Sequence, residues 1–317
     1  MTQYIVILLD DTAVSFCHYD NEKQERSLMP LCSLRDGIRY AMKENLNIQF
    51  VYPDYALPTE YNDLIDSVDH AKIKPAAMAD DADVVVLNGI DEADGFGDYK
   101  ASNVSYVLRL SRKSFFAHTA AIAEILHKVS RLNVVFTDID FTDDDFKAYS
   151  SALKKLSEEV EQIYIEGKSV QFNLLTDRIM LNQMNNCRAG DTTITLAPDG
   201  KFYVCPAFYF DKDGFETGDL ASGPRVKNPQ LYKLDHAPLC RHCDAYQCKR
   251  CIWLNWTTTL EVNTPSHEQC VAAHLERNAS RDLLRAIRQH GTFMPEQDDI
   301  KEINYLDPFD EREKWHR

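Results

Sequence analysis

The chain has 317 residues, 44% of them hydrophobic and 10% aromatic, which is enough for two well-packed domains and excludes a disordered polypeptide. Its formal net charge of −15 argues against nucleic acid as a partner, because phosphate backbones require a basic surface. The N-terminal segment lacks the basic start of a signal peptide, and no apolar stretch approaches the roughly 20 residues that a membrane span needs. We therefore expect a cytoplasmic protein with no membrane partner, in which clustered cysteines stay reduced.

The first 180 residues alternate between short apolar segments and amphipathic segments. The apolar segments predict strands over residues 3–9, 47–53, 81–90, 104–111, 132–140 and 170–175. The amphipathic segments predict helices over residues 34–45, 58–68, 115–129 and 143–165. This alternation is typical of βα units on a parallel sheet, and about six strands are too few for a complete eightfold barrel.

The second half of the chain begins with a different pattern. Residues 193–205 predict two short strands around a Pro-Asp-Gly turn at 198–200. A helix is predicted from about residue 266 to 290, followed by an acidic tail rich in turn residues.

Seven of the nine cysteines lie in this second half: Cys187, Cys205, Cys240, Cys243, Cys248, Cys251 and Cys270. Two Cys-x2-Cys pairs, 240/243 and 248/251, have the spacing that lets two thiolates reach one metal ion or one corner of a cluster. A single structural zinc on these four would leave three cysteines unexplained. The alternative is iron–sulfur clusters, which use four thiolates each and can interleave their ligands along the chain.

The order of these cysteines resembles the SPASM domain of radical SAM peptide-modifying enzymes. The pattern is Cys187-x12-Gly200-x4-Cys205, then Cys240-x2-Cys243-x4-Cys248-x2-Cys251, then Cys270. Asp199 before the glycine, Pro206 after Cys205 and the Gly-Asp-Leu at 218–220 also match. The resemblance favours iron–sulfur over zinc, although the second part has slightly shorter spacings than the common form.

The resemblance implies two [4Fe–4S] clusters. It assigns Cys187, Cys205 and Cys251 to the first cluster. It assigns four cysteines to the second: Cys240, Cys243, Cys248 and Cys270. The first cluster then has three thiolates, which leaves one iron open or held by a group other than cysteine.

The catalytic motif of radical SAM enzymes, Cys-x3-Cys-x2-Cys after the first strand, is incomplete in this chain. The matching positions are Ala13, Cys17 and Asp20, so one thiol remains where three are needed. The Gly-Gly-Glu-Pro motif that meets S-adenosylmethionine is replaced by Tyr-Pro-Asp-Tyr at 52–55. We therefore expect neither S-adenosylmethionine binding nor catalytic residues, and interpret Cys17 and Cys32 as buried or half-buried small hydrophobic residues.

Over its whole length the chain is similar to the CXXX-repeat peptide maturase family, most clearly at residues 8–19 and 28–61 and at the SPASM cysteines. The resemblance implies an α/β fold, with a partial (β/α)6 radical-SAM-like barrel at 1–182, a SPASM-like domain at 183–275, and a helix with an acidic tail at 276–317. It implies an accessory protein that binds a cysteine-repeat precursor peptide or a cysteine-complete radical SAM maturase. The alternatives are a redox or thioether-forming enzyme that uses the open cluster, and a zinc-stabilised interaction module.

Overall fold

A computed structural model describes residues 2–100, 102–211 and 215–301, so most of the predicted acidic tail lies outside the described residues. The strands are β1 (Tyr4–Leu8), β2 (Asn47–Val51), β3 (His70–Pro75), β4 (Val84–Asn88), β5 (Ser105–Leu110), β6 (Arg131–Phe136), β7 (Gln171–Phe172), β8 (Thr193–Leu196), β9 (Lys201–Tyr203), β10 (Glu216–Asp219) and β11 (Gly223–Pro224). The α-helices are α1 (Leu31–Lys43), α2 (Thr59–Ile65), α3 (Ile90–Gly95), α4 (Arg112–Ala117), α5 (Thr119–Leu126), α6 (Asp143–Ile165), α7 (Thr176–Met180), α8 (Pro206–Phe210), α9 (Ile252–Thr259) and α10 (His267–Gln289).

All eleven strands belong to one sheet, in the order β11-β10-β9-β8-β1-β2-β3-β4-β5-β6-β7. Strands β1 to β7 are parallel neighbours in chain order, and β8 adds to the free side of β1, also in parallel. Strands β9 to β11 continue the sheet as antiparallel hairpins. The α/β class with a parallel sheet core is confirmed, and β7 and β8 end the parallel part without pairing with each other.

One face of the sheet, called the outer face below, is covered by helices. Ile5 and Ile7 of β1 pack in one apolar cluster with Leu34 and Ile38 of α1. A larger cluster joins β4, β5 and β6 to the helices α4, α5, α6 and α10. Because side chains alternate across a strand, these contacts account for one half of the apolar strand residues.

The opposite, inner face has a different cover. Val6 of β1, Val86 of β4 and other inward strand residues pack with Val14 from the loop after β1. The same cluster includes Phe208 of α8 and Ile252 of α9, which come from the cysteine-rich part of the chain. The inner face is therefore closed by segments from both ends of the sequence.

Strand β3 is absent from the sequence prediction, because its two lysines interrupt the apolar pattern. In the fold, Asp81 accepts a hydrogen bond from Lys72 Nζ at 2.7 Å and one from Lys74 Nζ at 2.5 Å. These ion pairs let the strand carry charged side chains while Ile73 packs on the inner face.

Two other predicted elements differ in extent. The helix predicted over 115–129 is two helices, α4 and α5, which meet at His118. The cap at Ser111, whose Oγ accepts from the Ser114 N–H at 3.2 Å, starts α4 earlier than the apolar pattern indicates. Strand β7 covers two residues of the predicted 170–175.

The two longest helices were predicted closely. Helix α6 starts at a capping box, in which Thr142 and Asp145 satisfy each other's backbone N–H groups. Helix α10 packs on α6, and Tyr149 donates a hydrogen bond to Glu276 at 2.7 Å. Within the described part of the chain, no helix is long and apolar enough to cross a membrane.

The predicted domain boundaries remain predictions. Strand β8, on the far side of the boundary at 182, pairs with β1 along four residues, so the sheet is shared across that boundary. The boundary at 275 lies within α10.

Candidate metal centre

Three predicted ligands come together on the inner face. Cys187 lies in the loop before β8, while Cys205 and Cys251 are the residues that precede the first turns of α8 and α9. All three line one cavity of about 540 Å³, whose floor includes Val6 and Thr195 of the sheet. These are the cysteines that the SPASM resemblance assigns to the first cluster.

A fourth cysteine, Cys17, lines the same cavity. The Cys187 charge raises the pKa of Cys17, and the Cys17 charge raises the pKa of Cys205 and of Cys251. The sequence interpretation of Cys17 as a buried or half-buried small hydrophobic residue did not place it with these cysteines. We call Cys17, Cys187, Cys205 and Cys251 the first cysteine group.

Arg109 of β5 holds the loop that carries Cys17 against the sheet through hydrogen bonds. Arg109 Nε donates to the Cys17 carbonyl at 2.9 Å, and Nη2 donates to the Tyr19 carbonyl at 2.6 Å and to Asp20 Oδ1 at 2.5 Å. Nη1 donates to Asn88 Oδ1 at 2.7 Å, so this buried guanidinium joins the loop to β4 and β5. Bonds from a charged donor are strong, and they fix the backbone on both sides of His18.

Backbone N–H groups near every thiol of the first group favour its thiolate. The N–H of His18 has this effect on Cys17, and that of Ala189 has it on Cys187. The N–H groups of Ala207 and Phe208 have it on Cys205, and that of Leu254 has it on Cys251. N–H groups directed at sulfur favour the thiolate and are one of the factors that set the potential of iron–sulfur clusters.

The pKa values of all four thiols are nevertheless raised, so the thiolates are disfavoured when no cation is bound. Burial, followed by the charge of Cys187, raises the pKa of Cys17 to about 11. Burial raises the pKa of Cys205 and Cys251 further, and it also raises that of the Cys187 thiol, although Cys187 as a whole residue is exposed. Because metal ligation requires the thiolate, a bound cationic centre would supply the charge that this group lacks.

The second cysteine group consists of Cys240, Cys243, Cys248 and Cys270, and the structure places its first three members together. Burial and the Cys243 charge raise the pKa of Cys240 to about 11, and burial with both neighbours raises that of Cys248 to about 12. Cys270 lies on α10 one turn before His274, and His274 Nε2 is 3.5 Å from the Cys243 Sγ. Since residues four apart share a helix face, Cys270 lies on the face of α10 that meets Cys243.

The pair Cys248-x2-Cys251 is split between the two groups. Arg250, between them, has a left-handed backbone with φ of 46°, which turns the chain after Cys248. The two thiols of the pair lie beside different cysteines, Cys248 beside Cys240 and Cys251 beside Cys187.

Arg250 also lies between the two groups. It is 2% exposed, and its charge lowers the pKa of both Cys187 and Cys240. Its Nη2 donates to the Tyr232 carbonyl at 2.5 Å, while Nε and Nη1 have no hydrogen-bond partner among the described residues. A buried guanidinium with unused donors indicates an anionic group nearby, and thiolate-ligated clusters are anionic.

The donor set fits iron–sulfur clusters. The first cysteine group supplies four thiols around one cavity, with the buried cation of Arg250 beside them. In residues 2–100, 102–211 and 215–301, no three His, Cys, Asp or Glu side chains are arranged around a single metal ion. A cubane binds one thiolate at each of its four iron corners, which matches the number of thiols in the first cysteine group.

A second cavity of about 370 Å³ adjoins the first and shares Cys17, Cys187 and Cys251 with it. Its far side is formed by β6 and α10, including Glu276. Burial raises the pKa of Glu276 to about 7, partly offset by hydrogen bonds from Tyr149 and Gln247.

The remaining predicted positions lie apart from the cavity. Cys32 is exposed on α1, so its interpretation as a buried or half-buried residue is wrong. Ala13 is 1% exposed in the apolar cluster of the inner face. Sequence reasoning missed Arg109 and Arg250, which no motif marks; the spacing frame around Cys17 was the only signal for the fourth thiol.

A scan against models of protein families finds no match, and no curated protein matches the sequence. Solved structures do match. The anaerobic sulfatase-maturating enzyme anSMEcpe with bound AdoMet has a TM-score of 0.60 at 13% identity, covering 90% of this chain and 99% of that chain. The same enzyme with AdoMet and the Cp18Cys peptide has a TM-score of 0.62 at 13% identity, covering 91% and 100%.

At this identity the likeness shows the fold. The chain has a fold related to radical SAM/SPASM-domain proteins along nearly its whole length. The narrower similarity to CXXX-repeat peptide maturases stays a prediction.

Proposed function

We propose that this protein is an accessory component in the maturation of a ribosomally synthesised cysteine-repeat peptide. It binds two [4Fe–4S] clusters through the SPASM-like cysteines and does not cleave S-adenosylmethionine. Its partners are the precursor peptide and a separate radical SAM maturase that has a complete catalytic motif. The radical SAM/SPASM-related fold supports the class of protein, and the residues of the first loop support the loss of catalysis.

The observation that carries the proposal is the state of that loop. Of the three motif positions, Ala13 is packed in the apolar core and Asp20 is bound to Arg109, which leaves the Cys17 thiol alone. A catalytic cluster needs three thiolates and one open iron, and Asp20 is a hard oxygen donor engaged by a guanidinium. The thiol that remains lies among the SPASM-like cysteines.

Tyr52 and Tyr55, in the segment that replaces the S-adenosylmethionine motif, also have partners within the chain. Tyr52 is 4% exposed, and Lys74 Nζ lies 4.8 Å from the centre of its ring. Tyr55 donates to Asp10 Oδ2 at 2.8 Å, and Asp10 is completely buried. Both tyrosines pack in the apolar cluster of the outer face, and residues 52–55 contain no glycine that would let a ligand approach the backbone closely.

Iron–sulfur clusters would supply one-electron transfer and bonds that hold the loop-rich cysteine region together. The chain's own residues supply the rest of the site. Tyr19, Thr195 and Trp253 line the first cavity, and their buried side-chain polar atoms have no hydrogen-bond partner among the described residues. The peptide bound by anSMEcpe agrees with a peptide as ligand.

The test is to incubate the reduced, anaerobically purified protein with S-adenosylmethionine and measure 5′-deoxyadenosine. We expect none above the level given by free iron and reductant. Activity and a mass change in the peptide should appear only when the separate maturase is added. Turnover by this chain alone would contradict the accessory role, and a colourless protein with stoichiometric zinc would contradict the clusters.

A further inference from the structure

The first cysteine group contains one more thiol than the SPASM resemblance assigns to the first cluster. We propose that Cys17 is the fourth ligand, so that one [4Fe–4S] cluster is held by Cys17, Cys187, Cys205 and Cys251. The inference rests on the proposed function, since it requires that the cysteine region binds iron–sulfur clusters. It adds a ligand from the N-terminal loop, outside the SPASM-like region.

The position of the Cys17 thiol supports this assignment first. Cys17 and the three SPASM-like cysteines line one cavity, and the Cys17 thiol interacts with each of the other three. A cubane has four iron corners, and four thiolates complete it. The set therefore matches the ligand number of a closed cluster.

The orientation of the loop supports it next. Arg109 holds the carbonyls of Cys17 and Tyr19, which fixes the backbone on both sides of the thiol. The His18 backbone N–H and the charges of Arg109 and Lys249 favour the Cys17 thiolate. A ligand held in advance in this way loses little conformational freedom on binding.

His18 is the competing fourth ligand, because its imidazole also lines the cavity. Its Nδ1 lies 2.8 Å from the Phe136 carbonyl, which leaves Nε2 as the nitrogen that could bind iron. The ring, however, interacts with Phe136 and Arg109 on the side of β5 and β6, whereas the Cys17 thiol interacts with Cys187. We therefore assign the position to Cys17 and use His18 as a test variant.

The assignment has a consequence for chemistry. A cluster with four thiolates has no open iron, so it cannot ligate a substrate thiolate without losing one of its own. It would also tie residue 17 to residue 251, and thus the loop after β1 to α9. The loop that carries a catalytic cluster in radical SAM enzymes would here serve a closed auxiliary one.

The experiment compares anaerobically purified full-length variants by iron, sulfide and electron paramagnetic resonance. The variants are Cys17→Ala, Cys17→Ser and His18→Ala, with Cys32→Ala as the matched control, since Cys32 is exposed on α1. We expect about eight irons per chain in the wild type and in C32A, as two cubanes require. C17A should lose about one iron on mild oxidation and show the signal of a [3Fe–4S] cluster, with a smaller loss in C17S.

The outcomes separate the two proposals. A wild-type protein without iron would remove the clusters and, with them, this inference. Iron in the wild type with C17A indistinguishable from C32A would overturn the inference alone. A [3Fe–4S] signal in H18A but not in C17A would assign the fourth position to His18.

A measurement on the wild type avoids any folding defect of the variants. Imidazole or a small thiol is added to the reduced protein, and the cluster signals are recorded before and after. A closed first cluster should leave the spectrum unchanged. A new signal from a ligand-bound iron would show an open site and overturn the assignment of Cys17.

Discussion

The two faces of the sheet are stabilised in different ways. The outer face is an ordinary contact between apolar strand residues and amphipathic helices, such as that of α6 with β5 and β6. The inner face is covered by irregular segments from both ends of the sequence, which bring four thiols and several buried polar groups together. The outer face is closed by apolar contacts, whereas the inner face has buried polar atoms that find no hydrogen-bond partner among the described residues.

The largest effect that we expect is on the inner face. Cys251→Ala should remove about half of the iron and make the segment around α9 sensitive to protease, because cluster binding contributes folding free energy directly. Iron analysis and limited proteolysis of the anaerobic protein measure this, with Cys32→Ala as control. Full iron retention in C251A would mean that the inner face does not depend on a cluster at this position.

The outer face should show the opposite behaviour. Leu156 on α6 is completely buried, and Leu156→Ala should lower the free energy of unfolding by about 2–5 kcal/mol through the cavity it leaves. The iron content should not change. Urea denaturation measures the loss, and Met42→Ala, at a residue 65% exposed, should change stability little. Loss of iron in L156A would contradict the view that the two faces are stabilised independently.

A smaller effect concerns pH. The folded-state pKa of Glu276 is raised by burial from its ordinary value to about 7, so the folded protein holds this proton more tightly than the unfolded chain. The stability that this Glu276 proton contributes is fully present when the pH is below the ordinary glutamate pKa near 4.5. It is lost as the pH rises through about 7.

Denaturation of Glu276→Gln across that window should therefore show a weaker decline in stability with rising pH than the wild type. Glu158→Gln, at an exposed carboxyl on α6, is the matched control and should keep the wild-type profile. Identical profiles for E276Q and the wild type would show that Glu276 titrates normally.

The smallest effect should come from a helix end on the outer face. Thr142→Ala removes the side-chain half of the capping box of α6 and should lower stability by about 1 kcal/mol. Thr142→Ser keeps the hydroxyl and should restore most of it. Thermal unfolding with unchanged iron content measures this, and a change in cluster signals would couple this helix end to the inner face.

Sequence patterns predicted the outer face well, because period and capping are local properties. The predicted bounds of α6 follow from apolar residues at helical spacing, and the structure reproduces them and adds the Thr142 cap. The pattern failed at β3, where Lys72 and Lys74 are neutralised by Asp81 from another segment. It also failed at His118, where one predicted helix is two.

The sequence by itself determined the α/β class and the order of most elements, and its resemblance to the SPASM domain predicted a division of seven cysteines into two groups. It also showed that the catalytic motif has a single thiol. Only the tertiary structure decided where that thiol lies, since Cys17 is 170 residues from Cys187 along the chain and meets it through the pairing of β1 with β8 and the hold of Arg109 on the loop. The spacing of residues along the sequence predicts contacts between residues that are close in the chain. Contacts across a sheet depend on how distant segments pair in the fold.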